Sequence, residues 1–156
     1  MKTETKRLWV GWTMAVLLLA VVGTLHAHHS LAPFFDLETL VQIDGTIVRF
    51  DPVNPHSYLY VDRTSAEGQV ERWALEGPAA FQFDRRGISR DLFKTGDTIK
   101  ACGLGLKADS PGPRGVDGRV MVAMTLRMAN GEGRIWADYG QAHRCVALDQ
   151  KTHYTR

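Results

Sequence analysis

Residues 40–62, LVQIDGTIVRFDPVNPHSYLYVD, decide the fold of this chain. Apolar residues in the first half alternate with polar ones and share one side of an extended chain: Val41, Ile43 and Ile47. This period of two predicts a half-buried strand. The proline-rich stretch 51–55 ends that strand, and 57–62, which is rich in aromatic and branched residues, predicts a second one. His56 therefore lies directly before the second strand.

The same signals predict three more strands and one short helix downstream. The strands cover 69–75, 97–106 and 120–128. Pro78 suits the first turn of a helix over 79–86, which Gly87 would terminate. Between the last two strands, residues 107–118 contain three glycines and two prolines and predict a surface loop.

Three strands, a short helix and two further strands form the element order of a five-stranded OB-like Greek-key barrel. The fold class is therefore all-β, with the helix between strands 3 and 4. An immunoglobulin-like sandwich would need about seven strands and no helix at this point. We expect a signal peptide at 1–27, the barrel domain at 28–131 and a polar C-terminal tail at 132–156, with a short strand at 134–137. Ligands of such a barrel bind beside the loops 52–56 and 107–118.

The N-terminal segment has the layout of a secretory signal peptide. A basic head precedes the apolar run Leu8–Leu25, and the small residue Ala27 follows it. The alternatives are a permanent membrane anchor, for which this run is at the lower limit of length, and cleavage after Gly23. Cleavage after Ala27 predicts a periplasmic or secreted protein without a permanent membrane span.

The charge balance of the exported chain argues against a nucleic-acid partner. Residues 1–27 hold three basic residues and one acidic residue, so Lys+Arg falls from 19 to 16 and Asp+Glu from 17 to 16. A neutral domain lacks the basic surface that neutralises phosphates.

Cys102 and Cys145 are the two cysteines of the chain. In an oxidising compartment they can form one disulfide. The alternative is two free thiols, with Cys102 packed in the barrel and Cys145 in a loose tail.

The histidines suggest a transition-metal site. Cleavage after Ala27 would leave His28 with a free α-amino group next to its ring, and His29 and His56 add imidazoles that suit copper or zinc. Glu76, at the end of the third strand, is a candidate carboxylate ligand or general base. Alternatively, the first two histidines are solvent-exposed and His56 hydrogen-bonds within its own turn. Glu76 would then cap the following helix or pair with Arg85 or Arg86.

Other candidate sites have simpler explanations. Tyr58, Tyr60 and Trp73 could stack on sugars or bases, but aromatic residues on strands usually pack. A local cluster of Arg85, Arg86 and Arg90 could bind an anion or form a solvated face. We find no G-x-S-x-G elbow, no H-E-x-x-H helix and no phosphate-binding loop.

The chain resembles an exported bacterial family of unknown function over about residues 25–131. The strings that carry the resemblance are HHS at 28–30, FFD at 34–36, GTI at 45–47, NPH at 54–56, WALEG at 73–77, RRG at 85–87 and KTGD at 94–97. The resemblance implies an exported single domain and no particular activity. Residues 51–53 differ from the aromatic and polar residues that this pattern has before its Asn-Pro-His.

The sequence thus predicts an exported binding module with a transition metal, copper or zinc, as its leading ligand. The alternative is a non-metal adaptor that binds a periplasmic protein or a small molecule on the barrel face. A copper oxidase or monooxygenase would need an open coordination position and a substrate groove, which a domain of this size could hardly provide, so we do not expect an enzyme.

Overall fold

The protein is described by a computed structural model over residues 31–110 and 119–155. The predicted signal peptide, His28, His29 and most of the 107–118 loop lie outside the described residues. In the described part of the chain, no helix is long and apolar enough to cross a membrane.

The all-β class is confirmed. The strands are β1 (Phe35–Asp51), β2 (Tyr58–Thr64), β3 (Val70–Glu76), β4 (Thr98–Leu106), β5 (Val120–Met128), β6 (Gly133–Ile135) and β7 (Tyr154–Thr155). The helices are α1 (Gln82–Arg85), a 3-10 turn at Arg90–Leu92, and α2 (Ala142–Leu148).

The strands form one sheet in the order β3-β2-β1-β4-β5-β6-β7, and β3 also pairs with β5 in parallel. This additional pairing closes β1 to β5 into a ring. The long strand β1 makes the closure possible, because residues 46–51 pair with β2 while residues 40–46 pair with β4.

The expectation of a five-stranded barrel was wrong, because over residues 31–110 and 119–155 the sheet has seven strands. Only residues 120–122 of β5 pair with β3, and residues 125–127 pair with β6 instead. An open strand edge exposes unpaired N–H and C=O groups that another strand can satisfy. The segment after Gly131 takes this edge. Over residues 132–155, where we expected a polar tail with one short strand at 134–137, the structure has two strands and a helix.

The helix between β3 and β4 is shorter than the predicted 79–86. It ends at the predicted place, since Gly87 has a φ of 61° and the N–H of Ile88 donates to the carbonyl of Phe83. That bond is typical of a helix end with a left-handed glycine. The Phe83 side chain is fully buried in the core.

The core occupies the interior of the ring and includes a cluster of four aromatic residues. In five of the six pairs formed by Phe50, Phe83, Phe93 and Trp136, the ring centroids are 4.7 to 6.1 Å apart. Such rings bury large areas and gain from edge-to-face and offset contacts. Trp136, from the stretch 134–137 for which a short strand is expected, is therefore part of the core.

A second buried layer lies on β4 and β5. Leu104, Val122 and Met124 are fully buried but do not belong to the core cluster. The helix α2 packs against these two strands. The outer side of β4 and β5 is therefore covered by the C-terminal segment.

Candidate functional site

His56 and Glu76 meet where β2 begins and β3 ends. The imidazole Nδ1 of His56 lies 3.1 Å from Oε1 of Glu76. The two residues are 20 positions apart, and the antiparallel pairing of Tyr58 with Glu76 brings them together. The structure thus places two of the four predicted metal-site residues side by side.

Hydrogen bonds fasten the turn that carries His56 to the segment after Glu76. The backbone N–H of Ser57 donates to the carbonyl of Pro78 at 3.1 Å, and the N–H of Gly77 donates to Ser57 at 2.9 Å. The fully buried hydroxyl of Ser57 donates to the same Pro78 carbonyl at 2.7 Å. Because these bonds hold the backbone on both sides of the pair, the histidine and the carboxylate are held close together before any ligand binds.

The carboxylate of Glu76 is shielded from solvent, with 14% of its side chain exposed. Burial raises the pKa of this carboxyl, while the nearby His56 and the hydrogen bond from Tyr58 act in the opposite direction. The Tyr58 hydroxyl donates to Oε2 at 3.4 Å. Burial and the adjacent carboxylate together raise the pKa of Tyr58 to about 12, so this phenol is a neutral donor at physiological pH.

The His56 ring is oriented by this arrangement. Nδ1 is inaccessible to solvent and lacks a well-aligned hydrogen bond, yet 41% of the side chain is exposed. The exposed part of the ring is therefore the side away from Nδ1, which carries Nε2. A buried carboxylate behind one ring nitrogen and an accessible second nitrogen is the arrangement that histidine ligands of metals commonly have.

The other two predicted ligands, His28 and His29, lie outside the described residues. Across 31–110 and 119–155, no group of three or more His, Cys, Asp or Glu side chains is arranged to hold a metal ion. The described domain therefore offers one imidazole with one carboxylate, and further ligands would have to come from elsewhere.

Cys102 and Cys145 form a disulfide, with their α-carbons 5.7 Å apart. The bond joins β4 to α2, and both residues are buried. Of the two alternatives that the sequence left open, the structure shows the bridged one.

The aromatic residues of β2 and β3 do not form one platform. Tyr58 and Tyr60 lie on the outer side of β2 with ring centroids 6.4 Å apart. Trp73 packs against the core cluster, and Arg63 lies over its ring at 5.7 Å. Trp73 pairs with the fully buried Val61, so Trp73 lies on the opposite face of the sheet from the two tyrosines.

The sequence offers two roles for Glu76: a metal ligand or general base and, as the alternative, a helix cap or a partner of Arg85 or Arg86. In the described structure Glu76 contacts His56 and Tyr58, which does not match the alternative. Arg86 donates from Nη1 to the carbonyl of Trp136 at 2.8 Å instead. This bond ties the helical segment to the C-terminal segment.

Sequence reasoning missed Tyr139, which lies near this site. Its pKa is raised by burial and by the charge of Glu76, while Arg86 acts against this rise. No alternation of apolar and polar residues around position 139 predicted that this tyrosine would lie near the site. The apolar run Ile135-Trp136-Ala137 was the one signal that this part of the chain enters the core.

Comparison with known proteins adds one finding. The sequence model of a family of unknown function, DUF6152, matches residues 15–112, which is more than half of the chain. Neither the curated proteins nor the solved structures contain a match.

Proposed function

The chain belongs to the family of unknown function DUF6152, and from this premise we propose that it is an exported module that binds a transition metal, copper or zinc. Export is supported by the signal-peptide layout of residues 1–27. It is also consistent with the Cys102–Cys145 disulfide, since such bonds persist in oxidising compartments. We further propose that the closed ring of β1 to β5 is an OB-like barrel, which the β3–β5 closure and the helix between β3 and β4 support.

The observation that carries the metal proposal is the His56–Glu76 pair. Both oxygens of Glu76 are engaged, Oε1 near His56 Nδ1 and Oε2 with the Tyr58 hydroxyl. We therefore assign Nε2 of His56 as the ligand and Glu76 as the group that orients the ring and increases its basicity. In this proposal the amine and ring of His28, with His29, complete the site.

A copper titration of the processed protein by calorimetry tests this proposal. His56→Ala should weaken binding at least tenfold, because it removes a ligand, and Glu76→Gln should weaken it about 10- to 100-fold through the lost orientation. Acetylation of the His28 α-amine should also weaken binding, because it removes the amine from the chelate but leaves every side chain. Since ligand nitrogens must lose their protons to bind a metal, affinity should fall as the pH is lowered.

His143→Ala is the matched control, because this exposed histidine lies on α2. It should leave copper binding unchanged. Equal and weak affinity in the wild type, His56→Ala and the blocked N-terminus would contradict the proposal and favour the non-metal adaptor.

A further inference from the structure

The outer side of β2 carries two neighbouring tyrosines, of which only Tyr58 takes part in the metal proposal. Leu59 and Val61 are fully buried, and successive side chains of a strand point to opposite faces. Tyr58 and Tyr60 therefore lie on the outer face, where both are partly exposed. Their ring centroids are 6.4 Å apart and the ring planes are inclined at 38°, so the two tyrosines form a pair of neighbouring aromatic rings.

Charged side chains flank these rings in neutral pairs. The guanidinium of Arg49 lies over the Tyr60 ring at 4.3 Å, and its Nη2 is 2.9 Å from Asp51. On the other side, Arg72 donates to both carboxylate oxygens of Asp62 at 2.8 Å. We call this surface, made of Arg49, Asp51, Tyr58, Tyr60, Asp62 and Arg72, the tyrosine face.

The charges of the tyrosine face disfavour a polyanion. Both arginines are already paired with aspartates, and the Glu76 carboxylate lies at the end of the row beside Tyr58. A nucleic-acid strand would have to displace these carboxylates or approach them with like charge. A ligand with hydroxyl groups can instead donate to the carboxylates and accept from the guanidiniums while the ion pairs remain intact.

We infer that the tyrosine face binds an uncharged glycan. Sugar rings have an apolar C–H face that packs on aromatic side chains and hydroxyls that hydrogen-bond at its edge, and this surface supplies partners for both. The outer face of strands 2 and 3 is also where OB-folds bind oligonucleotides and oligosaccharides, and this comparison rests on the proposed OB-like barrel. The inference shares Tyr58 and Glu76 with the metal proposal, but it needs no bound metal, and Tyr60 belongs to the tyrosine face alone.

NMR titration of the isotope-labelled protein, made by expressing the full chain, with cellohexaose and with chitohexaose tests this inference. EDTA is present throughout, so that metal binding cannot contribute. We expect saturable shift changes in the backbone amides of residues 58–62 and none in α2. Tyr60→Ala should lower the affinity about 5- to 100-fold, in proportion to the lost stacking surface, whereas Tyr60→Phe should keep it.

Tyr154→Ala, which removes a tyrosine from β7 on a different part of the sheet, is the control and should bind as the wild type does. Binding of neither oligosaccharide at millimolar concentration overturns the inference, as does unchanged affinity of Tyr60→Ala. Shift changes confined to other surfaces overturn it too. Tighter binding of oligothymidylate than of either sugar at residues 58–62 would replace it with nucleic-acid recognition.

Discussion

At position 77 the chain has room for a hydrogen atom and for nothing larger. A β-carbon built on Gly77 would lie 2.0 Å from Nε1 and 2.4 Å from Cε2 of Trp136. Trp136 is fully buried in the aromatic cluster and cannot move aside at low cost. The glycine that directly follows Glu76 thus allows the tryptophan to pack against the strand end that carries the site.

Gly77→Ala should therefore destabilise the protein by about 1–3 kcal/mol, the usual cost of overpacking a core. Chemical denaturation measures this change. The double variant Gly77→Ala/Trp136→Phe is informative, because the smaller ring removes the indole atoms that clash. We expect Trp136→Phe to lower the free energy of unfolding less in the Gly77→Ala background than in the wild type. Strictly additive effects would show that the two residues do not compete for space.

Among the elements, the end of α2 depends on one carboxylate. Asp149 accepts hydrogen bonds from Thr152 Oγ1 at 2.8 Å, from the Tyr154 hydroxyl at 3.1 Å and from Arg127 Nη1 at 3.4 Å. The bond from Thr152 is the largest cause of the lowered pKa of this carboxyl, followed by those of Tyr154 and Arg127. Asp149 thus links α2, β7 and β5.

The lowered pKa predicts an acid dependence of this segment. The folded state favours the ionised Asp149, so its stabilising contribution is complete above the unfolded pKa of about 3.9 and is lost as the pH falls through the lower folded value. Hydrogen exchange in α2 and β7 should accelerate over this range before exchange in β2 and β3 does. Asp149→Asn should show faster exchange in these elements already at neutral pH, whereas Asp109→Asn, in an exposed loop, should not.

For the whole molecule, the disulfide is a covalent constraint on the C-terminal segment. The bond closes a loop with a sequence separation of 43 residues, for which the chain-entropy model predicts about 4 kcal/mol of stabilisation. Reduction, or the double variant Cys102→Ser/Cys145→Ser, should lower the free energy of unfolding by roughly that amount.

Denaturation with and without dithiothreitol measures this effect. The double variant serves as its own control, because the reductant should not change its stability. Equal stability of oxidised and reduced wild type would show that the packing of α2 and Trp136 holds this segment without the bond.

Export is also a property of the whole molecule. We expect intact-mass spectrometry of the secreted protein to give a chain that begins at His28, because Ala27 is the small residue at the end of the signal-peptide layout. A start at Thr24 would place His26 near the new terminus instead of His28. Retention of residues 1–27 would contradict the periplasmic proposal.

Local patterns determined a large part of this fold. Alternation from Leu40 onward predicted the second part of β1, and the aromatic and branched residues of 57–62 predicted β2. The alternating residues of 120–128 predicted β5 with its observed bounds. Gly87 predicted the end of the helix through its freedom to adopt a positive φ. Each of these features is determined by residues that are close together in the chain, so it can be predicted from the sequence alone.

The tertiary structure alone decided which distant residues meet. His56 faces Glu76 because β2 pairs with β3 in one register, and a shift of one residue would turn every side chain of the strand to the other face. Trp136 is in the core and Cys145 is bonded to Cys102 because β6 extends the edge of β5 and α2 packs on β4 and β5. These contacts arise from the closure of the sheet and from the burial of apolar surface between residues that are far apart in the chain. Such long-range contacts leave no regular alternation of apolar and polar residues in 132–156.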